Sequence, residues 1–388
     1  MYKNQQFLLL GLSLALSTLS SASPFHEQTR LLVGGYNNAI ASYVFNQDNG
    51  LIEQNTIVRT PAHNASWFTV DAERNRLFAV DEIGSKSTKP IGKVSGFKLV
   101  DPAKPLDKIN TQPTLGDEPT FIVHSPDGHY VFVANYAVNP NTGASLVVLP
   151  IDQNGQLGAV TQQLVHQASH VNPERQASSH IHRVTLTPDG QYVFMMDLGG
   201  DRVYAYRYDA KSDPKHPLTP AKVPYTALPP GSGPRHLIFS ADGHHAYLTL
   251  EMAGKLVVFD VLDGTLKQRA IVSLIPSDFK GKLGAGALHL SADGQFLYVS
   301  DRGKDNKILV YSVDPTTGLL SQIQRRSTEG QEPREFAISP DGHYLLVTNQ
   351  FSNEVVTFKR DPSNGKLGAS IQKVNVKAPS MLQFIPEK

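Results

Sequence analysis

The chain has no cysteine, which rules out disulfides, a thiol nucleophile and any metal site built on cysteine. It also lacks an excess of charge of one sign: 36 Lys and Arg stand against 35 Asp and Glu, a formal net charge of +1. A nucleic acid or an anionic membrane surface would call for a marked basic excess, so neither is expected as a partner. Beyond the N-terminus no apolar run approaches the roughly 20 residues needed to cross a bilayer. Several catalytic and ligand-binding signatures are missing as well: the GxSxG nucleophile elbow, the GxxxxGK[ST] phosphate loop, the HExxH zinc motif and the calcium-binding EF-hand loop.

The N-terminal segment has the layout of a secretory signal. Lys3 is followed by an apolar stretch over 7–19, with Ser20 and Ala22 at the −3 and −1 spacing of a cleavage site. The expectation is a signal peptide over 1–22 and a single exported domain over 23–388, periplasmic or secreted. After cleavage no membrane association is expected.

The most frequent pattern is a repeat. Ser/Thr-x-Asp-Gly recurs at Ser125–Gly128, Thr187–Gly190, Ser240–Gly243, Ser291–Gly294 and Ser339–Gly342, each time followed by an apolar run. The glycines are 48 to 62 residues apart. A period near fifty, with strand-like runs around an Asp-Gly turn, predicts an all-β propeller whose repeats are four-stranded antiparallel blades. Second strands begin near Leu32, Leu77, Val131, Val193, Ala246, Leu297 and Leu345, giving seven blades; the second lacks the Asp-Gly phrase, and 71–80 takes its place. The first unit starts at its second strand, whereas the chain ends on an unmatched first strand over 379–385. That C-terminal strand is predicted to complete the first blade and close the ring, removing the exposed edges. A closed ring is expected to be a monomer.

Counting from each repeat glycine makes the blades comparable. Eight residues before it, at the start of the innermost strand, stand Ser380, Ser66, Thr120, His182, Arg235, Gly286 and Arg334. Seven and eight residues after it, where the second strand ends on the same face, stand Gly35-Tyr36, Asp81-Glu82, Asn135-Tyr136, Asp197-Leu198, Leu250-Glu251, Asp301-Arg302 and Asn349-Gln350. Charge concentrates in the fourth to seventh blades as His182, Arg235, Glu251, Arg302 and Arg334, with His180 nearby. Arginines converging on one mouth repel unless they meet an anionic ligand or carboxylates, so a site for a small anionic molecule is expected there. Inter-blade bridging to the Asp residues is the structural alternative for each arginine. His180-Ile-His182 has metal-like spacing but no further ligand at motif spacing, and no metal or cofactor is expected.

The segments 180–190 and 197–203, Gly231–Phe239 with Glu251, Ser300–Gly303 and Glu332–Gly342 resemble the seven-bladed propeller lactonases, a family that includes bacterial 6-phosphogluconolactonases and fungal carboxy-cis,cis-muconate cyclases. The resemblance spans nearly the whole mature chain. It implies a lactone hydrolase acting on a small anionic lactone or carboxylate, such as a sugar-acid lactone, with His182, Arg235, Glu251 and Arg302 as the catalytic set. Arg334, His180, Asp197, Asn135 and Asn349 are the accompanying candidates for substrate binding. In a metal-independent scheme Glu251 activates water, the arginines stabilise the oxyanion, and His182 positions the lactone or protonates the leaving group. Two alternatives stay open: a cyclase that forms the lactone from a muconate-type diacid, and an exported propeller that binds a ligand or surface partner without turnover.

Overall fold

β-Branched and aromatic runs broken by Asp-Gly turns favour short antiparallel strands, and the computed structural model consists of such strands. It describes residues 28–85, 89–137 and 145–385, so the expected signal peptide and the start of the mature chain lie outside the described residues. Among the described residues there is no helix; twenty-eight strands form seven four-stranded sheets.

Blade 1 joins β1 (Gln28–Gly35), β2 (Ala39–Asn46) and β3 (Leu51–Pro61) to the final strand of the chain. Blade 2 holds β4 (Phe68–Asp71), β5 (Arg76–Asp81), β6 (Lys93–Lys98) and β7 (Asp107–Pro113). Blade 3 holds β8 (Asp117–His124), β9 (Tyr130–Ala137), β10 (Leu146–Pro150) and β11 (Gln162–Leu164). Blade 4 holds β12 (Ile181–Leu186), β13 (Tyr192–Asp197), β14 (Arg202–Tyr208) and β15 (Leu218–Ala227). Blade 5 holds β16 (Pro234–Phe239), β17 (His245–Leu250), β18 (Lys255–Leu262) and β19 (Thr265–Ser273). Blade 6 holds β20 (Ala285–Leu290), β21 (Phe296–Asp301), β22 (Lys307–Val313) and β23 (Leu320–Ser327). Blade 7 holds β24 (Pro333–Ile338), β25 (Tyr344–Asn349), β26 (Glu354–Arg360) and β27 (Leu367–Asn375), and β28 (Pro379–Ile385) returns to pair antiparallel with β1. The predicted closure is therefore the observed one.

The Ser/Thr-x-Asp-Gly phrase has a local physical cause. In blade 3 the Ser125 hydroxyl donates to Asp127 Oδ1 at 2.5 Å and accepts the Tyr130 N–H at 3.0 Å, while Asp127 Oδ1 also accepts the His129 N–H at 3.0 Å. Gly128 turns the chain at φ 73°, a left-handed value that glycine adopts without strain. The same bonds recur around Thr187, Ser240, Ser291 and Ser339.

Apolar side chains collect between the blades. Each of seven core clusters draws on two neighbouring sheets; one of them unites Leu32, Met381 and Ile385 of blade 1 with Phe68, Leu77 and Phe97 of blade 2. Hydrophobic burial thus acts along the ring. The channel-lining strands remain free to carry polar groups.

Candidate active site

The candidate side chains are aimed by irregularities in the strands that carry them. The β12/β13 register shifts between Ile181 and Arg183, β16/β17 between Pro234 and Leu237, and β24/β25 between Pro333 and Glu335. His182, Arg235 and Arg334 sit in these bulges, which re-aim a side chain and leave it out of the pairing ladder. Glu251 and Arg302 follow the last residues of β17 and β21, and so come out at the same mouth of the channel.

Glu251 is the hub of the arrangement. The Arg175 Nη2 group donates to its Oε1 at 2.7 Å. Arg235 Nε and Arg302 Nη2 lie 2.9 and 2.8 Å from its Oε2; the Arg235 Nε–H is not aligned for a hydrogen bond, so that contact is an ion pair. Burial pushes the Glu251 pKa up, but Arg302, Arg235, His182 and Arg175 outweigh it and hold the carboxyl well below its usual range. Arg302 also donates to Glu332 Oε1 at 3.0 Å. Arg235 is 1 % exposed; burial and the neighbouring Arg302 lower its pKa to about 9.

The arginine cluster that suggested an anionic ligand therefore finds its countercharges inside the protein, on Glu251 and Glu332. Arg334 belongs to a second group. It donates through Nη2 to the Tyr36 hydroxyl at 2.7 Å, and that hydroxyl donates to Glu82 Oε1 at 2.9 Å. The Ser66 hydroxyl donates to Glu82 Oε2, and Thr120 supplies a further side-chain hydrogen bond.

His182 is 5 % exposed and lies edge-on to Tyr136, ring centroids 5.7 Å apart, and to His236 at 5.1 Å. Burial, reinforced by Arg235, keeps its pKa well below the normal histidine value and so favours the neutral ring. His180 stacks on the Tyr136 ring at 4.7 Å and directs Nδ1 to the Tyr136 carbonyl. Among the described residues no group of three or more His, Cys, Asp and Glu side chains is placed to hold a metal ion.

The remaining candidates are engaged by backbone. Asp197 accepts the N–H groups of His180 at 2.8 Å and Gly200 at 2.9 Å and the Ser179 hydroxyl at 2.8 Å, and burial raises its pKa to about 6. Asn135 Nδ2 donates to the Thr114 carbonyl at 3.0 Å, and Asn349 Nδ2 to the Thr328 carbonyl at 2.9 Å. All three side chains tie a second-strand end to neighbouring chain.

Counting from the glycines misses Arg175, because it lies in the strandless connection 165–180, outside the repeat. Besides Glu251 it reaches the Tyr136 hydroxyl at 3.0 Å. Glu332 also falls outside the compared positions, just before Pro333.

Residues 30–384 match the family model described as lactonase, 7-bladed beta-propeller. A 6-phosphogluconolactonase of Formosa agariphila is 32% identical over 322 residues, covering 83% of this chain and 88% of its own length. The 6-phosphogluconolactonase of Bacillus subtilis is 27% identical over 324 residues, 83% of this chain and 87% of its own. The structure of a Pseudomonas aeruginosa periplasmic gluconolactonase superposes with a TM-score of 0.88 at 44% identity, covering 93% of this chain and 99% of that one.

Proposed function

The chain belongs to the seven-bladed β-propeller lactonase family, and from that premise we propose that it hydrolyses an unphosphorylated sugar-acid lactone in the periplasm, at the channel mouth around Glu251. Lactone hydrolysis accords with the activities named for its relatives. The observation that carries the choice of site is the Glu251 carboxylate held by Arg175, by Arg302 and by Arg235 from its bulge. Ester cleavage builds negative charge on the carbonyl oxygen, and fixed cations stabilise it without reorganising. In this reading Arg235 and Arg302 face that oxygen, Arg175 closes the mouth over it, and neutral His182 packs beside the substrate. Asp197, Asn135 and Asn349 hold the strand ends rather than the substrate.

Two considerations support the finer substrate and compartment. Among the described residues Arg175, Arg235 and Arg302 already face carboxylates and Arg334 is engaged by the Tyr36 hydroxyl, which disfavours a phosphate at this mouth. The export signal expected over 1–22 agrees with the periplasmic gluconolactonase of Pseudomonas aeruginosa and separates the protein from cytoplasmic sugar phosphates.

The test compares glucono-1,5-lactone with its 6-phospho form, each rate taken above spontaneous hydrolysis. Faster turnover of the unphosphorylated lactone is expected. The reverse preference overturns the substrate reading, and hydrolysis of neither overturns the lactonase reading.

A further inference from the structure

Glu251 is a carboxylate with little capacity to act as a base. Both of its oxygens face guanidinium groups, and three cations share its single charge. A second carboxylate stands at the same mouth in a different setting. Glu82 follows β5 and is fixed by its main chain, its N–H donating to the Asn64 carbonyl at 3.1 Å. Its donors are the neutral hydroxyls of Tyr36, Ser66 and Thr120. Among the described residues the cation that acts on it is Arg334 from β24, which meets it through the Tyr36 hydroxyl. From β8 comes Glu118, a like charge whose own pKa is raised by burial, by Glu82 and by Asp117.

We propose that Glu82 is the group that takes the proton from the attacking water, while Glu251 serves as a fixed anion that orders the arginines. The inference rests on the lactonase reading above. The water oxygen bonds to the lactone carbonyl carbon as its proton passes to a Glu82 oxygen. The ring C–O bond then breaks, and the proton moves from Glu82 to the leaving alkoxide. One water is consumed, a hydroxy acid is released, and Glu82 returns to its ionised form. The hydroxyls of Ser66 and Tyr36 keep the carboxylate oriented, and neither brings a positive charge into direct contact with it. Burial raises the Glu82 pKa, opposed in part by Arg334 and by the hydroxyl bonds from Ser66, Tyr36 and Thr120, and the net direction is the one a base working near neutral pH requires.

The experiment measures kcat and KM for glucono-1,5-lactone against pH in wild type, Glu82→Gln, Glu82→Asp and Glu251→Gln, each checked for an intact melting transition. For Glu82→Gln the expectation is a fall in kcat of about a hundredfold or more, KM within a few-fold, and loss of the acidic limb of kcat/KM. Glu82→Asp should keep part of the rate, and Glu251→Gln should be slow yet keep the limb. An acidic limb that persists in Glu82→Gln overturns the proposal. A readout independent of turnover is 13C NMR of labelled glutamate carboxyls, with Glu82 assigned by its loss in Glu82→Gln. A midpoint above the ordinary glutamate value is expected; one at or below it overturns the assignment. A wild type that opens no lactone defeats the functional reading instead, and the NMR result still decides whether Glu82 has a base's proton affinity.

Discussion

Three guanidinium groups around one carboxylate form a stable arrangement only as a unit. At an effective dielectric of about 20, a pair of unit charges at roughly 4 Å is worth about 4 kcal/mol, enough for several such pairs to overcome the burial that opposes ionisation of Glu251. Removing the anion strands the cations, and breaking a buried pair from one side costs about 3–5 kcal/mol. Glu251→Gln is therefore expected to lower unfolding free energy by that order, read by denaturant titration. Arg235→Ala should cut kcat by about a hundredfold or more, as loss of an oxyanion-stabilising donor does. Asp301 gives a prediction with the opposite sign. Burial, with the neighbouring Asp305 carboxylate, pushes its pKa up to about 7. An acid whose pKa is higher folded than unfolded contributes stability below the unfolded value and loses it as pH rises through the folded one, about 1.4 kcal/mol for each unit of difference. Asp301→Asn should thus raise the melting temperature at pH 8 more than at pH 5; an equal effect at both would show that its charge is immaterial. Residue-scale legibility in the sequence is uneven for a physical reason. His182, Arg235, Glu251, Arg302 and Arg334 occupy repeat-equivalent positions and can be found by counting. Arg175 acquires its role only when the strandless connection 165–180 brings it to Glu251 and Tyr136. Glu82 stands at a compared position, but its distinction from Glu251 depends on which neighbours are cations.

At the scale of strands and turns, the bulges matter most for placing the site. Glu118, Gly233, Glu332 and Ala378 each precede a proline at positive φ of 51°, 63°, 57° and 41°. The residue after the proline, Thr120, Arg235, Arg334 or Ser380, falls in each case in a bulge facing the channel. That X-Pro pattern is a sequence signal for the bulges that alternation of apolar residues does not contain. The strands themselves are highly legible: the second strands expected near Leu77, Val193, Ala246 and Leu345 begin one residue earlier, as β5, β13, β17 and β25. The turns divide into two kinds by their surroundings. Gly294 has φ 71° and no atom within 4 Å of a Cβ added to it, whereas at Gly365, φ 74°, that Cβ would lie 2.4 Å from the Phe296 ring. Gly294→Ala should cost about 1–2 kcal/mol, the penalty of the left-handed conformation alone. Gly365→Ala adds a clash with a ring packed between blades 6 and 7, so denaturant melts should show a clearly larger loss there.

The molecule as a whole is a ring closed by its last strand. β28 supplies the innermost strand of blade 1, pairing Arg30 with Ile385 and Val33 with Leu382. It also meets blade 2, where the Ser380 hydroxyl donates to the Ser66 carbonyl at 3.0 Å, beside the Ser66 hydroxyl that holds Glu82. Closure and site are thus linked through one residue. Met381, Leu382 and Ile385 are 6 %, 3 % and 8 % exposed. At about 1.5–3 kcal/mol for each buried side chain, their loss alone is comparable with the 5–15 kcal/mol that typically separates folded from unfolded domains. Deleting residues 379–388 also leaves β1 as an unpaired inner edge, open to association with other chains. The truncated protein is therefore expected to lose its cooperative melting transition or to aggregate, with lactonase activity lost in parallel. A truncation that melts within a few degrees of the full chain would show that the other six blades close the ring unaided.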